Sequence, residues 1–282
     1  MRVLVIGSVF PRHQADDQVP WLRETCKRVR EAGVEVEVLA PSWKGLKMHT
    51  IDGITVHRFR YAPAGWETLT GEEGAPNKLR RNPLLKFLAV AYLWCGFWKL
   101  VQLLSKTKYD VVEVHWPFPH AFMALPAVCA GIPVIYHYHG AELKLAAQNF
   151  LSNFFFAQSL RWAKAHAANS SYTASLVKKL KPKLEVEIIS YGSPLPEIPS
   201  DARRTHPRRK ILCVGRQIER KGLRYMIDAL KQLPGDFHLT LVGEGDQTAN
   251  LKAQAHGNPR IIFAGRLSGA ELAETYATHD IF

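Results

Sequence analysis

The sequence predicts an α/β protein with two parallel-sheet domains, and three observations carry that prediction. Short apolar runs recur along the chain, each followed by a glycine or polar turn and then by a stretch of helical spacing, the pattern of strands covered on both faces by crossover helices. The alternation stops over residues 192–209, where Pro194, Pro196, Pro199 and Pro207 stand among polar residues without periodicity, and then restarts. A length of 282 residues suits two domains of ordinary size, and 47% hydrophobic content is ample for their cores. The expected division is therefore residues 1–191, a linker over 192–209, and a second domain over 210–282.

Residues 2–7 read as a first buried strand, 20–32 as an amphipathic helix ended by Gly33, and 34–40 as a second strand, so the chain opens β-α-β. Residues 53–61 alternate like a further strand, and the loop to Pro76 is rich in glycine and acidic residues. From 76 to 108 there is no Asp or Glu, while Lys78, Arg80, Arg81, Lys86, Lys99, Lys106 and Lys108 flank or interrupt the apolar run 83–104. Length alone admits a bilayer span, for which about 20 apolar residues suffice, but Lys99 and Gln102 argue against one. Trp94, Phe97 and Trp98 between basic ends suit a helix lying in a membrane interface. An ordinary crossover helix packed on the sheet is the other reading.

Residues 110–116 form the next buried strand, 121–130 a helix, and 132–138 a strand ending at His139 and Gly140. Residues 161–164 close a helix, 165–168 are a short strand, Ser170 or Ser171 caps a helix running to Leu180, and 185–190 complete the first sheet. Past the linker come a fully buried strand at 211–214, a helix at 223–233, a strand at 237–242, the turn Gly243-Glu244-Gly245, a helix, a strand at 260–264 and a helix at 271–277. Asp280-Ile281-Phe282 reads as the start of another buried strand.

Lys and Arg outnumber Asp and Glu by 37 to 25, a formal charge of +12 that favours an acidic partner. Nucleic acid is disfavoured, because there is no recognition-helix pattern or aromatic-basic strand platform and the positive charges are dispersed. An anionic membrane surface and phosphorylated small molecules remain. Cys26, Cys95, Cys129 and Cys213 lie far apart without a C-x-x-C pair and read as reduced core residues. Residues 3–6 are too short an apolar run for a signal-peptide core, which points to the cytoplasm.

The segment most suited to chemistry is residues 211–222, I-L-C-V-G-R-Q-I-E-R-K-G. Gly215 turns the chain at the carboxyl end of a parallel strand, and Arg216 and Lys221 precede a helix N-terminus, so two cations and a helix dipole meet where open sheets bind ligands. A diphosphate suits them; solvated surface cations are the alternative. His139 is a second candidate at a strand end, with His115 and His120 behind it, each also readable as a hydrogen-bonded structural histidine. No metal site is expected: H-E-x-x-H and Asp-x-Asp are absent, and His137 and His139 are read as pointing to opposite faces of their strand. G-x-S-x-G is missing, which leaves no support for a serine hydrolase. The Gly243-Glu244-Gly245 turn is either only a turn or a backbone cradle for a ribose or phosphate.

Taken together, V-G-R-Q-I-E-R-K-G, L-T-L-V-G-E-G-D, I-I-F-A-G-R-L-S-G-A-E-L-A-E-T-Y, D-V-V-E-V-H-W and V-I-Y-H-Y-H-G resemble, in order and spacing, segments of the family 4 glycosyltransferases of the GT-B fold. The resemblance implies two Rossmann-like domains facing across a cleft, and retaining transfer of a sugar from a nucleotide-sugar donor to a glycan or lipid-linked acceptor. It implies a donor diphosphate held by Arg216 and Lys221 without metal or other cofactor. Gly215, Gly243, Gly245 and Arg266 would stand on the donor side, and His139 would touch the donor sugar. Family members often work on membrane-proximal acceptors, which favours interfacial contact by 83–104 at the inner face of the membrane. Two departures stand out. Residues 8–20 lack the Gly-Gly pair of many members, so acceptor contacts do not carry over, and no E-x7-E pair occurs, so the second domain is expected to be incomplete and this chain inactive alone. The competing readings are a same-fold nucleotide-sugar 2-epimerase and a non-catalytic basic membrane-binding module.

Overall fold

The computed structural model describes residues 1–16, 18–71, 75–82, 84–192, 209–267 and 269–282. The chain divides into two compact units, Met1–Pro194 and Leu195–Phe282. The linker expected over 192–209 lies, from 193 to 208, outside the described residues, as do Pro83 and residues 72–74 of the acidic loop.

In the first unit β1 (Arg2–Ile6) and β2 (Glu35–Pro41), joined through α1 (Pro20–Glu31), pair in parallel with Ile6 opposite Leu39. β1 also pairs with β5 (Val111–His115), and the sheet continues through β6 (Val134–Tyr138), β7 (Ala165–Ala168) and β8 (Glu187–Ile188), all parallel. On the other side come β4 (Ile54–Phe59), parallel to β2, and β3 (His49–Ile51), antiparallel to β4. The order is β3-β4-β2-β1-β5-β6-β7-β8. The strand β3, absent from the sequence reading, returns through Asp52 and Gly53, both at positive φ (52° and 74°), a two-residue hairpin turn of the Asp-Gly type.

Alternate residues of β1 feed two cores, as a strand covered on both faces requires. Val3 and Val5 join Val36, Val38, Leu22 and Cys26 beneath α1. Leu4 and Ile6 join Val112, Val114, Tyr136 and Tyr138 beneath α3 (Leu85–Leu104). This long helix follows the short α2 (Ala75–Arg81) and buries Tyr92, Gly96, Leu100 and Leu103. A Cβ on Gly96 would lie 2.0 Å from the Met123 Cε, so glycine lets the helix close onto the 3-10 turn Ala121–Ala124. By length and composition α3 could cross a membrane, but a span would strip this packed face from the core.

The single helix expected over 121–130 is instead α4 (Pro117–His120), the 3-10 turn and α5 (Leu125–Cys129). Prolines 117, 119 and 126 lack the N–H that a continuous ladder needs. Next come α6 (Ala141–Ala146), α7 (Phe150–Ser159) and α8 (Ser171–Leu180), the last capped as expected by the Ser170 hydroxyl, which accepts from the Thr173 N–H at 3.2 Å. All four cysteines are free; Cys26 is buried, while Cys129 is exposed rather than in the core.

The second unit runs β9 (Lys210–Val214), α9 (Leu223–Gln232), β10 (His238–Val242), α10 (Thr248–Ala255), β11 (Ile261–Gly265) and α11 (Gly269–Thr278), with parallel order β11-β10-β9. Leu223, Ile227 and Leu230 recur at helical spacing on α9 and pack with Leu239, Leu241, Leu251, Ala255 and Ile261. β9 is not fully buried: only Leu212 is, because beyond β10 its second neighbour is a single parallel bridge from Ile211 to Ile281. Ile281 and Phe282, expected in a buried strand, are exposed.

Candidate functional site

In the second unit, three strand ends assemble the predicted basic loop. Gly215 and Arg216 follow β9, Gly243 to Gly245 follow β10, and Arg266 follows β11, all at the carboxyl edge of one parallel sheet. The two glycine loops are stitched together. Gly215 N–H donates to the Val242 carbonyl at 2.9 Å, Gln217 N–H to the Glu244 carbonyl at 3.1 Å, and the buried Gln217 amide nitrogen to the Gly243 carbonyl at 2.7 Å. A Cβ on Gly243 would meet the Gly215 oxygen at 2.3 Å, and one on Gly245 the Gln217 oxygen at 2.3 Å. Glycine at both positions is therefore what lets the Arg216 loop rest on the turn. The Gly243 and Gly245 N–H groups donate to the Gly265 carbonyl at 2.6 Å and the Thr248 hydroxyl at 2.9 Å, so neither is left for a backbone cradle.

Arg216 and Lys221 stay exposed on this support. Lys221 closes the 3-10 turn Glu219–Lys221, and Gly222, at φ 67°, leads into α9, whose N-terminal dipole points to the same edge. Arg266 pairs with Glu244 at 3.3 Å, both largely exposed.

In the first unit, His139 follows β6 and its N–H donates to the Glu142 carboxylate at 2.6 Å, while Gly140 turns at φ 92° into α6. The His139 ring is enclosed by aromatic side chains: Trp116 at 4.6 Å, Trp21 at 4.8 Å and Tyr191 at 5.6 Å between centroids. Its Nδ1 meets the Tyr191 hydroxyl and its Nε2 lies 3.0 Å from His115 Nδ1. Burial, with His115 and His137 adding to it, pushes His139 down to about 2, so the ring is neutral at physiological pH and works as a hydrogen-bond partner rather than a cation. His120 is structural: its Nδ1–H donates to the Trp116 carbonyl at 2.7 Å, Nε2 meets the Tyr92 hydroxyl at 3.0 Å, and burial takes it down to about 4.

The expectation that His137 and His139 face opposite ways is overturned. Residues two apart on a strand share a face, and His115, His137 and His139 form one stacked row, with centroids 4.6 Å and 5.1 Å from His115. Nor are the histidines unassociated: ligand atoms of Glu113, His115 and His137 lie within 4.8 Å of one another. Burial, with His115, takes His137 down to about 4, and the two imidazoles outweigh burial to hold the Glu113 carboxyl below its usual range.

Beside His139 a cavity of 320 Å³ opens at the carboxyl ends of β1, β5 and β6. It is mostly apolar, with Val9, Leu69, Leu79, Leu93, Phe118 and Leu145 around the polar groups of Tyr92, His120 and Glu142. Glu142 is buried, its Oε2 has no partner, and burial raises the carboxyl to about 7 against the backbone N–H groups that favour its charged form. A larger open depression of 650 Å³, between Leu160 and Glu187, sits at the amino ends of β7 and β8, the edge where parallel sheets do not place their ligands. Sequence reading missed Glu142, Trp21 and Tyr191; only Glu142 carried a signal, a carboxylate in the first turn after His139-Gly140.

The profile of glycosyltransferase family 4 matches residues 20–195, and that of the group 1 glycosyl transferases residues 208–282. No curated protein matches the chain. Among solved structures, sucrose-phosphate synthase of Thermosynechococcus elongatus is similar in fold (TM-score 0.69, 17% identity, 99% of this chain and 73% of that one). So are HepE of Anabaena in complex with UDP (0.64, 18%, 99% and 72%) and the lipopolysaccharide outer core galactosyltransferase WaaB (0.61, 13%, 100% and 72%). These neighbours are GT-B glycosyltransferases, and at such identities what this chain shares with them is the α/β fold with Rossmann-like parallel sheets.

Proposed function

Because the chain belongs to glycosyltransferase family 4, whose profile covers residues 20–195, we propose that it moves a hexosyl group, with retention, from a nucleotide-sugar to a glycan or lipid-linked acceptor. The observation that carries the donor side is the convergence of Arg216, Lys221 and the α9 N-terminus on one sheet edge, over a loop locked by Gly243 and Gly245. As the glycosidic bond breaks, negative charge grows on the departing diphosphate, and fixed cations with a helix dipole stabilise it without a metal ion. Arg266 stands at the same edge. Sugar transfer is the activity of the family, and HepE, similar in fold, binds UDP; a nucleoside diphosphate is the ligand this edge takes.

On the acceptor side, the apolar cavity beside Glu142 takes an acceptor with an apolar portion, and a carboxyl near 7 suits proton exchange with its hydroxyl. The resemblance gives His139 a contact with the donor sugar; with Nδ1 on the Tyr191 hydroxyl and Nε2 on His115, that contact requires Tyr191 or His115 to release the ring. The exposed apolar stripe of α3 and the charge of +12 support a location at the cytoplasmic face of an anionic membrane. The 2-epimerase reading gains one buried carboxyl in Glu142; it requires turnover of a nucleotide-sugar with no acceptor present.

Calorimetric titration with nucleoside diphosphates, UDP among them, tests the donor site. Arg216→Ala and Lys221→Ala are each expected to weaken binding at least tenfold, the scale of a lost charge-assisted contact of about 1.5–3 kcal/mol. Unchanged affinity in both variants would remove the diphosphate from this edge.

A further inference from the structure

We propose that Glu113, His115 and His137 form a binding site for one zinc-class divalent ion inside the first unit, clamping β5 to β6 behind His139. Register brings them together: His115 lies directly opposite His137 across the parallel pair, and Glu113 is two residues before His115 on the same face. Glu113 Oε2 lies 3.6 Å from His137 Nε2 and 3.8 Å from His115 Nε2. Both gaps are too long for hydrogen bonds. They are close to the spacing of about 3.4 Å that two ligand atoms adopt around a tetrahedral ion with bonds near 2.1 Å.

The second observation is independent of the spacing. His115 is 3% exposed, and neither its Nε2 nor that of His137 has a hydrogen-bond partner. Two buried ring nitrogens left unsatisfied beside one carboxylate are costly unless something sits between them. Two imidazoles and a carboxylate with an open fourth position are a zinc set, and nitrogen ligands disfavour magnesium and calcium. Glu113 and His137 keep partial exposure, which gives an ion a way in.

The ion would also set a proton. With His115 ligated through Nε2, its Nδ1 carries the hydrogen and donates it to His139 Nε2, 3.0 Å away. His139 must then carry its own proton on Nδ1, toward Tyr191.

The test uses the 282-residue chain stripped with chelator and titrated with Zn²⁺ against a chromophoric competitor. The expected result is one saturable equivalent, insensitive to excess Mg²⁺, with a raised Tm. X-ray absorption should then show two imidazoles and one carboxylate oxygen around zinc. Glu113→Gln and His137→Gln should each weaken binding at least tenfold, with the far-UV spectrum unchanged. Because the wild-type absorption measurement needs no variant, misfolding of either substitution leaves the proposal decidable. Absence of saturable binding, a shell without two imidazoles, or unchanged affinity in two folded variants would each overturn it, the last assigning the zinc to other histidines among the 12.

Discussion

Glu142 shows how a single residue couples the apolar cavity of the first unit to stability. Its carboxyl is raised by burial from 4.5 to about 7, so between those values the folded chain holds a proton that the unfolded chain has released. Stability must therefore fall as pH rises through that window, by up to about 3 kcal/mol from this group, and level off above it. Glu142→Gln should flatten that decline in urea unfolding followed by tryptophan fluorescence; a variant with the wild-type slope would show that another group titrates. The placement of Arg216 and His139 at strand ends beside Gly215 and Gly140, and of Lys221 before Gly222 at a helix start, was legible in the sequence because each lies beside a turn-forming glycine. Trp21 and Tyr191 were not, since their value lies in stacking with each other at 4.2 Å, 170 positions apart in the chain, which no local spacing reports. His137 was misplaced for a different reason: the strand period was misapplied, and the pairing with His115 depends on the register between β5 and β6, which only the folded sheet fixes.

At the scale of elements, α3 was legible as a long apolar helix, while its two faces were not, because nearly every position is apolar and no polar stripe marks the outside. The structure sorts them. Tyr92, Gly96, Leu100 and Leu103 go to the core, Phe97 stacks on Phe122 at 5.5 Å, and Phe87, Val90, Trp94 and Trp98 form an exposed stripe. Replacing Phe87, Trp94 and Trp98 with serine should reduce binding to phosphatidylglycerol vesicles at least tenfold without lowering Tm, whereas Leu100→Ala should cost about 2–5 kcal/mol of stability. Equal vesicle binding by the triple variant would leave α3 a packing helix only. The Gly243-Glu244-Gly245 turn was legible as strand-turn-helix, but its dependence on the Arg216 loop was not. Gly243→Ala puts a methyl 2.3 Å from the Gly215 oxygen at φ 110°, and about 3 kcal/mol of destabilisation is expected, with weaker diphosphate binding. Gly235→Ala, with nothing within 4 Å of its Cβ, is the control that should be tolerated.

For the whole molecule, the chain forms two compact units, Met1–Pro194 and Leu195–Phe282, whose hydrophobic cores share no residue. The cores differ in size: the first unit carries large clusters on both faces of its eight-stranded sheet, and the second a single cluster around α9. A smaller core offsets less conformational entropy, so the second unit should unfold at lower denaturant. Composition makes this separable, because all 7 tryptophans precede residue 194 and none lies in the second unit. Tryptophan fluorescence therefore reports the first unit alone, while far-UV circular dichroism reports both. Urea unfolding should give non-coincident curves, with an early dichroism step that fluorescence does not see. A nucleoside diphosphate bound at the Arg216 and Lys221 edge stabilises only the unit that holds it, so saturating UDP should move the early step upward and leave the fluorescence midpoint in place. Coincident curves would mean that the two units unfold as one, and a UDP shift confined to the fluorescence curve would put the nucleotide in the first unit.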